Sequence, residues 1–288
     1  MATATFISKA SNETDFLFRD WGSKLSSAIQ AVGLIKTADT GQINWLTVPR
    51  STSGMAGYEI FRFDDTLQAT APIFLKLEYG GTGNYALFKT TLGKGTDGAG
   101  NITGILHQAL QALNGNYNST TDFASYISSG DGSMLNVALW PSFHVSYSPL
   151  LKFCIDRSRD GAGNPTGLGT FMHRYATSTL TAGHRSEAAD YITAQTNIIN
   201  RGCFFSGYEL ANTTVLNNGT DTPMFKCEVI TPSRVKWNPK CILGYAYADA
   251  GMLQIVNVGG TQYLTLGTGG TYADFGLQQY ACMAMAHY

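Results

Sequence analysis

The chain has 288 residues, enough for one large β domain or two smaller ones with a sizeable core. Only 14% of its residues are charged, 19 basic against 20 acidic, where an ordinary globular protein carries about 25%. A net charge of −1 with no Lys/Arg cluster excludes electrostatic tracking of nucleic acid, and no apolar run reaches the ~20 residues of a membrane helix, so neither partner is expected.

The first residues, M-A-T-A-T-F-I-S-K-A, lack the apolar stretch of a secretory signal, which predicts synthesis and retention in a cytosol. Residues 13–32 predict an amphipathic helix, because Phe18, Trp21, Leu25, Ala28, Ile29 and Val32 recur at three- and four-residue steps. Asn12 or Thr14 is placed to cap its start, Glu13 and Asp15 suit its positive end, and Gly33 is placed to stop it. From there strands dominate. They are predicted at Ile43–Pro49, at Tyr58–Phe63 and at Pro72–Tyr79, where Ile73, Leu75 and Leu77 share one face. Residues 105–113, I-L-H-Q-A-L-Q-A-L, place apolar residues at helical steps and predict a short helix, followed by a polar loop over 114–121. Phe123–Ile127 and Met134–Trp140 flank S-S-G-D-G-S as a hairpin, and strands continue at Phe143–Ser148 and Leu151–Asp156. Residues 176–196 fit helix or strand equally. Cys203–Tyr208, Met224–Ile230 and Cys241–Tyr247 predict strands, and Leu253–Val258 with Thr261–Leu266 predict a hairpin about Gly259-Gly260. A last strand is predicted near Leu277–Ala286.

Two segments repeat one another. Phe88–Gly104 and Leu151–Gly167 each hold a Lys in second place, the turn D-G-A-G-N, and then T-G. Asp and Asn tolerate turn geometry and Gly supplies positive φ, so the string reverses a chain between strands. Two related hairpins on an all-β scaffold are expected.

Chemistry-bearing residues do not converge in the sequence. A calcium loop needs a closing carboxylate about twelve residues from its first ligand, and neither D-G-A-G-N copy has one. His184, Glu187 and Asp190 would share a helix face but match no zinc signature. Asp64-Asp65 mimics a glycosidase carboxylate pair, with a strand-end turn as the simpler account. His107, His144, His173 and His287 are scattered, and the five cysteines show no C-x-x-C spacing, which predicts reduced, buried thiols. No G-x-S-x-G elbow or phosphate loop is present. No catalytic residue, metal or cofactor is therefore expected.

From Thr37 the strings T-A-D-T-G-Q-I-N-W, G-Y-E-I-F-R-F-D-D-T-L-Q-A-T-A-P-I-F-L-K-L-E-Y-G and G-T-D-G-A-G-N-I-T-G follow one another. Together with F-C-I-D-R-S-R-D-G-A-G-N and G-D-G-S-M-L-N-V-A-L, this succession resembles virion structural proteins of tailed bacteriophages. The likeness covers most of residues 14–170 and fades beyond about 205. It implies a particle component without enzymatic activity, meeting other virion proteins and copies of itself, with the tail, neck or fibre-attachment region preferred. A capsid decoration protein and a carbohydrate-binding module for the host surface are the alternatives.

The expected fold is mainly β, an antiparallel sandwich or jelly-roll-like domain with an N-terminal amphipathic helix. Residues 1–33 are read as an arm and helix, 34–175 as a β domain with both D-G-A-G-N hairpins, and 176–288 as a second lobe or a continuation. The apolar stripe Phe18, Trp21, Leu25 and Ile29 is the candidate assembly interface, and Met1–Asn12 is expected to order only on a neighbour.

Overall fold

The structure, a computed structural model, describes residues 2–8, 12–83, 85–113, 123–129, 132–141, 151–162, 164–176 and 183–190. Beyond these it describes 215–217, 223–226, 229–230, 236–237, 242–245, 255–258, 260–267 and 282–286. It is mainly β, with antiparallel sheets and one α-helix near the N-terminus.

Helix α1 spans Asp15–Ala31, and its N-cap is Thr14, whose side chain accepts the Leu17 N–H. At the other end the Leu34 N–H donates to the Ile29 carbonyl and the Gly33 N–H to that of Gln30. These are the paired bonds of a helix closed by a left-handed residue, here Gly33 at φ +106°. The apolar face is as expected: Phe18, Trp21, Leu25, Ala28, Ile29 and Val32 are all buried.

The first sheet is built from β2 (Ile35–Lys36), β3 (Ser53–Arg62), β4 (Phe74–Thr82), β5 (Tyr85–Thr96) and β6 (Ile102–Leu113), hydrogen-bonded in that order. Register places Phe61 opposite Leu75 and Leu75 opposite Leu92, with Tyr79 opposite Phe88, so one face is a continuous apolar surface. Helix α1 packs on it through Trp21, which meets the rings of Tyr79 and Phe88 edge-on. Gly22 on the helix leaves room for the Trp45 ring, which a Cβ there would overlap.

The second sheet takes β1 (Ala2–Ser8), β7 (Phe123–Ser129), β8 (Met134–Pro141), β9 (Leu151–Arg159), β10 (Pro165–Ala176) and β11 (Gly183–Asp190), again side by side. Leu135, Val137 and Ile155 from this sheet join the same buried cluster as α1 and the first sheet. Further along, Val215–Asn217, Pro223–Lys226, Ile242–Tyr245, Ile255–Val258, Thr261–Gly267 and Cys282–Ala286 form another antiparallel sheet. Its hairpin Ile255–Val258 with Thr261–Gly267 turns where Gly259-Gly260 predicts, with Gly260 at φ +82°.

Three expectations are corrected. Residues 105–113 are strand, not helix, because every residue from Ala86 to Leu92 finds a partner on β6. Ile43–Pro49 is a turn region, in which Asn44 Oδ1 accepts the Leu46 N–H and the Asn44 carbonyl accepts that of Val48. The segment expected as a loose arm holds β1, paired to β7 from Ala2–Ser129 to Ser8–Phe123, with Phe6 packed against the core. Strand β11 pairs with β10 across the boundary placed at residue 175. Residues 114–121, 143–148 and 203–208 lie outside the described residues.

Candidate functional site

Each D-G-A-G-N turn joins neighbouring strands, Asp97–Asn101 between β5 and β6 and Asp160–Asn164 between β9 and β10. Their internal bonds match one for one. Asp97 N–H donates to the Asn101 carbonyl at 3.1 Å, and Asp160 N–H to that of Asn164 at 3.0 Å. Asp97 Oδ1 accepts the N–H of Ala99 at 2.8 Å and of Asn101 at 3.0 Å. Asp160 Oδ1 accepts those of Ala162 at 3.0 Å and Asn164 at 2.8 Å. The Asn side chain donates to Oδ2 of its Asp at 2.7 Å in the first turn and 3.2 Å in the second. The aspartate thus folds its own loop. The Asn101 side chain, then the Asn101 and Ala99 amides, hold the Asp97 carboxyl below its ordinary value of 3.8.

The first tip is capped by a loop from the far side of β3. Thr40 donates its main-chain N–H to the Gly98 carbonyl at 3.0 Å, and its hydroxyl to the same oxygen at 3.3 Å. Asp39 accepts the Gly100 N–H through Oδ1 at 3.4 Å and the Thr96 hydroxyl through Oδ2 at 3.2 Å. The Tyr58 hydroxyl donates to the Thr40 carbonyl, and its ring covers Gly100, where φ is +94° and a Cβ would overlap the phenol. Gln42 locks the loop: its amide donates to the Thr37 and Asp39 carbonyls while Oε1 accepts the Ile60 N–H. Burial, then the charges of Asp39 and Asp97, push the Tyr58 phenol above 10.0. T-A-D-T-G-Q is therefore a cap for T-D-G-A-G-N.

Two buried polar junctions hold the layers together. Glu59, fully buried on β3, accepts from the Ser26 hydroxyl at 2.7 Å, Lys36 Nζ at 2.6 Å and the Tyr79 hydroxyl at 3.1 Å. Burial first, and then the Glu59 charge, push the Tyr79 phenol well above its ordinary range. Arg157 on β9, also fully buried, grips Asp65 with two bonds of 2.5 and 3.0 Å and donates to the Ala71 carbonyl at 2.7 Å. That fork ties the second sheet to the turn after β3. Both carboxylates are committed to internal donors, which suits structural ion pairs rather than acid–base chemistry.

The sequence-predicted residues are dispersed. Phe18, Trp21, Leu25 and Ile29 are at most 1% exposed and belong to the chain's own core, so this stripe is corrected from interface to core. Asp65 is claimed by Arg157, while Asp64 lies 3.5 Å from Arg62 on the surface. His184, Glu187 and Asp190 fall on β11, so the helical spacing that joined them does not apply. Among the described residues no three His, Cys, Asp or Glu side chains gather as a metal set. No helix among those residues is long and apolar enough to cross a membrane. Sequence reading missed the Asp39–Thr40 cap, whose one signal was the Asp-Thr-Gly turn lying upstream of the first repeat. Comparison with protein-family models, curated proteins and solved structures finds no match to this chain.

Proposed function

We propose that the protein is a non-enzymatic structural subunit of a tailed-phage virion, placed in the tail, neck or fibre-attachment region. The carrying observation is that one hairpin device is built twice, with its polar side chains spent on shaping and capping the chain. The strings that resemble phage structural proteins are the ones that make this device, namely the cap, β4 and the D-G-A-G-N turns. The aspartates and the glutamate with the most unusual surroundings, Asp39, Glu59, Asp65 and Asp97, each serve internal donors, which favours a scaffold over a catalyst. The low charge suits surfaces that neighbours cover.

The architecture within this reading is an antiparallel sandwich, supported by the single buried cluster that β3–β5, β8, β9 and α1 share. The runs β2–β6 and β7–β11 are each consecutive, with β1 added beside β7, which favours a plain sandwich over a jelly roll, whose Greek-key connections would break those runs. The subunit would be made in the bacterial host cytoplasm and end in the particle.

The test is quantitative mass spectrometry of purified particles. A fixed copy number near that of tail or neck proteins is expected. Hundreds of copies would instead indicate capsid decoration, and absence from purified particles would remove the reading.

A further inference from the structure

Helix α1 turns its core stripe inward, and its opposite side carries a different pattern. Phe16, Ser23 and Ser27 stand seven and four residues apart, on the side of the helix away from Trp21. Phe16 is 73% exposed there. Leu46, at 84%, is fixed at the same corner, because Arg19 donates to the carbonyls of Leu46 at 3.3 Å, Thr47 at 3.5 Å and Val48 at 2.6 Å. Among the described residues these are the two most exposed large apolar side chains, ahead of Ile255 at 47% and Ile35 at 39%. Their backbones are also held. Asn44 closes the turn that carries Leu46, and Thr14 caps the helical turn that carries Phe16. Apolar groups fixed in advance lose little freedom when a partner covers them, which is what a docking anchor requires.

We propose that this side of α1 docks on the same side of α1 in a second copy of the chain, antiparallel, about a two-fold axis beside Gly22 and Ser23. Charge is what selects a copy of the chain. Asp20 and Lys24 lie four residues apart on one flank of the helix, paired at 2.8 Å and both partly exposed. A two-fold axis midway between them sets each Asp20 against the other copy's Lys24. Two opposite-charge contacts then form across the interface while each internal pair is kept. The same axis lays Phe16 on Ser27 and Ala31 of the other copy, both small and exposed, and brings the two Ser23 residues together at the centre. A large ring therefore meets small residues, which lets the helices approach closely. Leu46 widens the apolar area on the flank opposite Asp20 and Lys24. Such a contact is isologous and closes at two copies. Helix α1 thus serves the core with one side and a neighbour with the other. The inference draws on the assembly reading only in expecting copies to meet. It is tested on the purified chain, so a failure here is separate from absence in particles.

The experiment is sedimentation velocity of the full chain over a concentration series, with folding checked by circular dichroism. It compares wild type, Phe16→Ala, Asp20→Lys, Lys24→Glu, and Ile255→Ala as an exposed apolar control on another sheet. Wild type and Ile255→Ala are expected to dimerise alike. Phe16→Ala, which empties no core site, is expected to weaken dimerisation about tenfold or more. Asp20→Lys sets lysine against lysine across the axis, and Lys24→Glu sets acid against acid, so each alone should lose at least as much. Mixed in equal amounts, these two variants place opposite charges at both contacts, so a heterodimer should form with near wild-type affinity. A destabilised fold could not give that recovery. A monomeric wild type, a Phe16→Ala chain that dimerises as wild type does, an equal loss in Ile255→Ala, or a mixture that forms no heterodimer would each overturn the proposal.

Discussion

Hairpin β5–β6 and hairpin β9–β10 carry the same turn on different supports. Both rest on one buried cluster through equivalent residues, Leu92 and Ile155, and both tips show the same four internal bonds. They part company in what surrounds them. The first is covered by Asp39, Thr40 and Tyr58, while the second has exposed glycine and alanine at its crest. Two places beyond Leu92 stands Lys94; two beyond Ile155 stands Arg157, which is buried and locks onto Asp65. A turn sequence thus dictates local shape, whereas availability is decided by partners far away in the chain.

The largest expected effect removes what both hairpins share. Trp21→Ala empties a fully buried site against Tyr79 and Phe88, and a loss of about 3–5 kcal/mol is expected in denaturant unfolding. A loss under about 1 kcal/mol would show that the helix is not part of the common core. Next comes the seam that belongs to the second hairpin alone. Asp65→Ala strands the Arg157 guanidinium in a buried site, and about 3 kcal/mol is expected, the low end for a broken buried pair because Asp65 keeps 7% exposure. Unfolding followed by fluorescence would measure it, and a neutral result would mean that Arg157 finds water.

A smaller effect separates the tips. Tyr58→Phe deletes the hydroxyl bonded to Thr40 and should cost about 1 kcal/mol, confined to the first tip and its cap. The pH dependence has a definite sign. With the phenol raised above 10.0, the contribution of its protonated form is complete below that value and lost as pH climbs through the folded one. With Asp97 held below 3.8, the contribution of its carboxylate is complete above that value and lost as pH falls through the folded one. Tyrosinate absorbance of wild type minus Tyr58→Phe should therefore show Tyr58 ionising later than an ordinary tyrosine. An ordinary titration would mean that the cap is open in solution.

Much of this was legible in the residues, for identifiable reasons. Helix α1 was readable because its period, Thr14 cap and Gly33 stop are all local. The turns were readable because Asp, Gly and Asn act within five residues. Residues 105–113 misled because I-L-H-Q-A-L-Q-A-L mimics helical spacing. Pairing with β5 overrides that, and a register shift at Leu92/Gly93 leaves Leu106 as an extra buried residue on β6. The stripe Phe18, Trp21, Leu25 and Ile29 was visible as apolar, but sequence does not tell core from interface. The cap and the Arg157–Asp65 fork were hidden because they join residues 61 and 92 positions apart.

The account stands most directly on the claim that identical tips differ only in their cover. Amide hydrogen exchange of residues 97–101 and 160–164, in wild type and Asp39→Asn, addresses it. The substitution weakens acceptance from Gly100 and Thr96, so exchange should quicken at Gly98–Asn101 and stay unchanged at Asp160–Asn164. An unaltered first tip, or equal quickening at both, would contradict it.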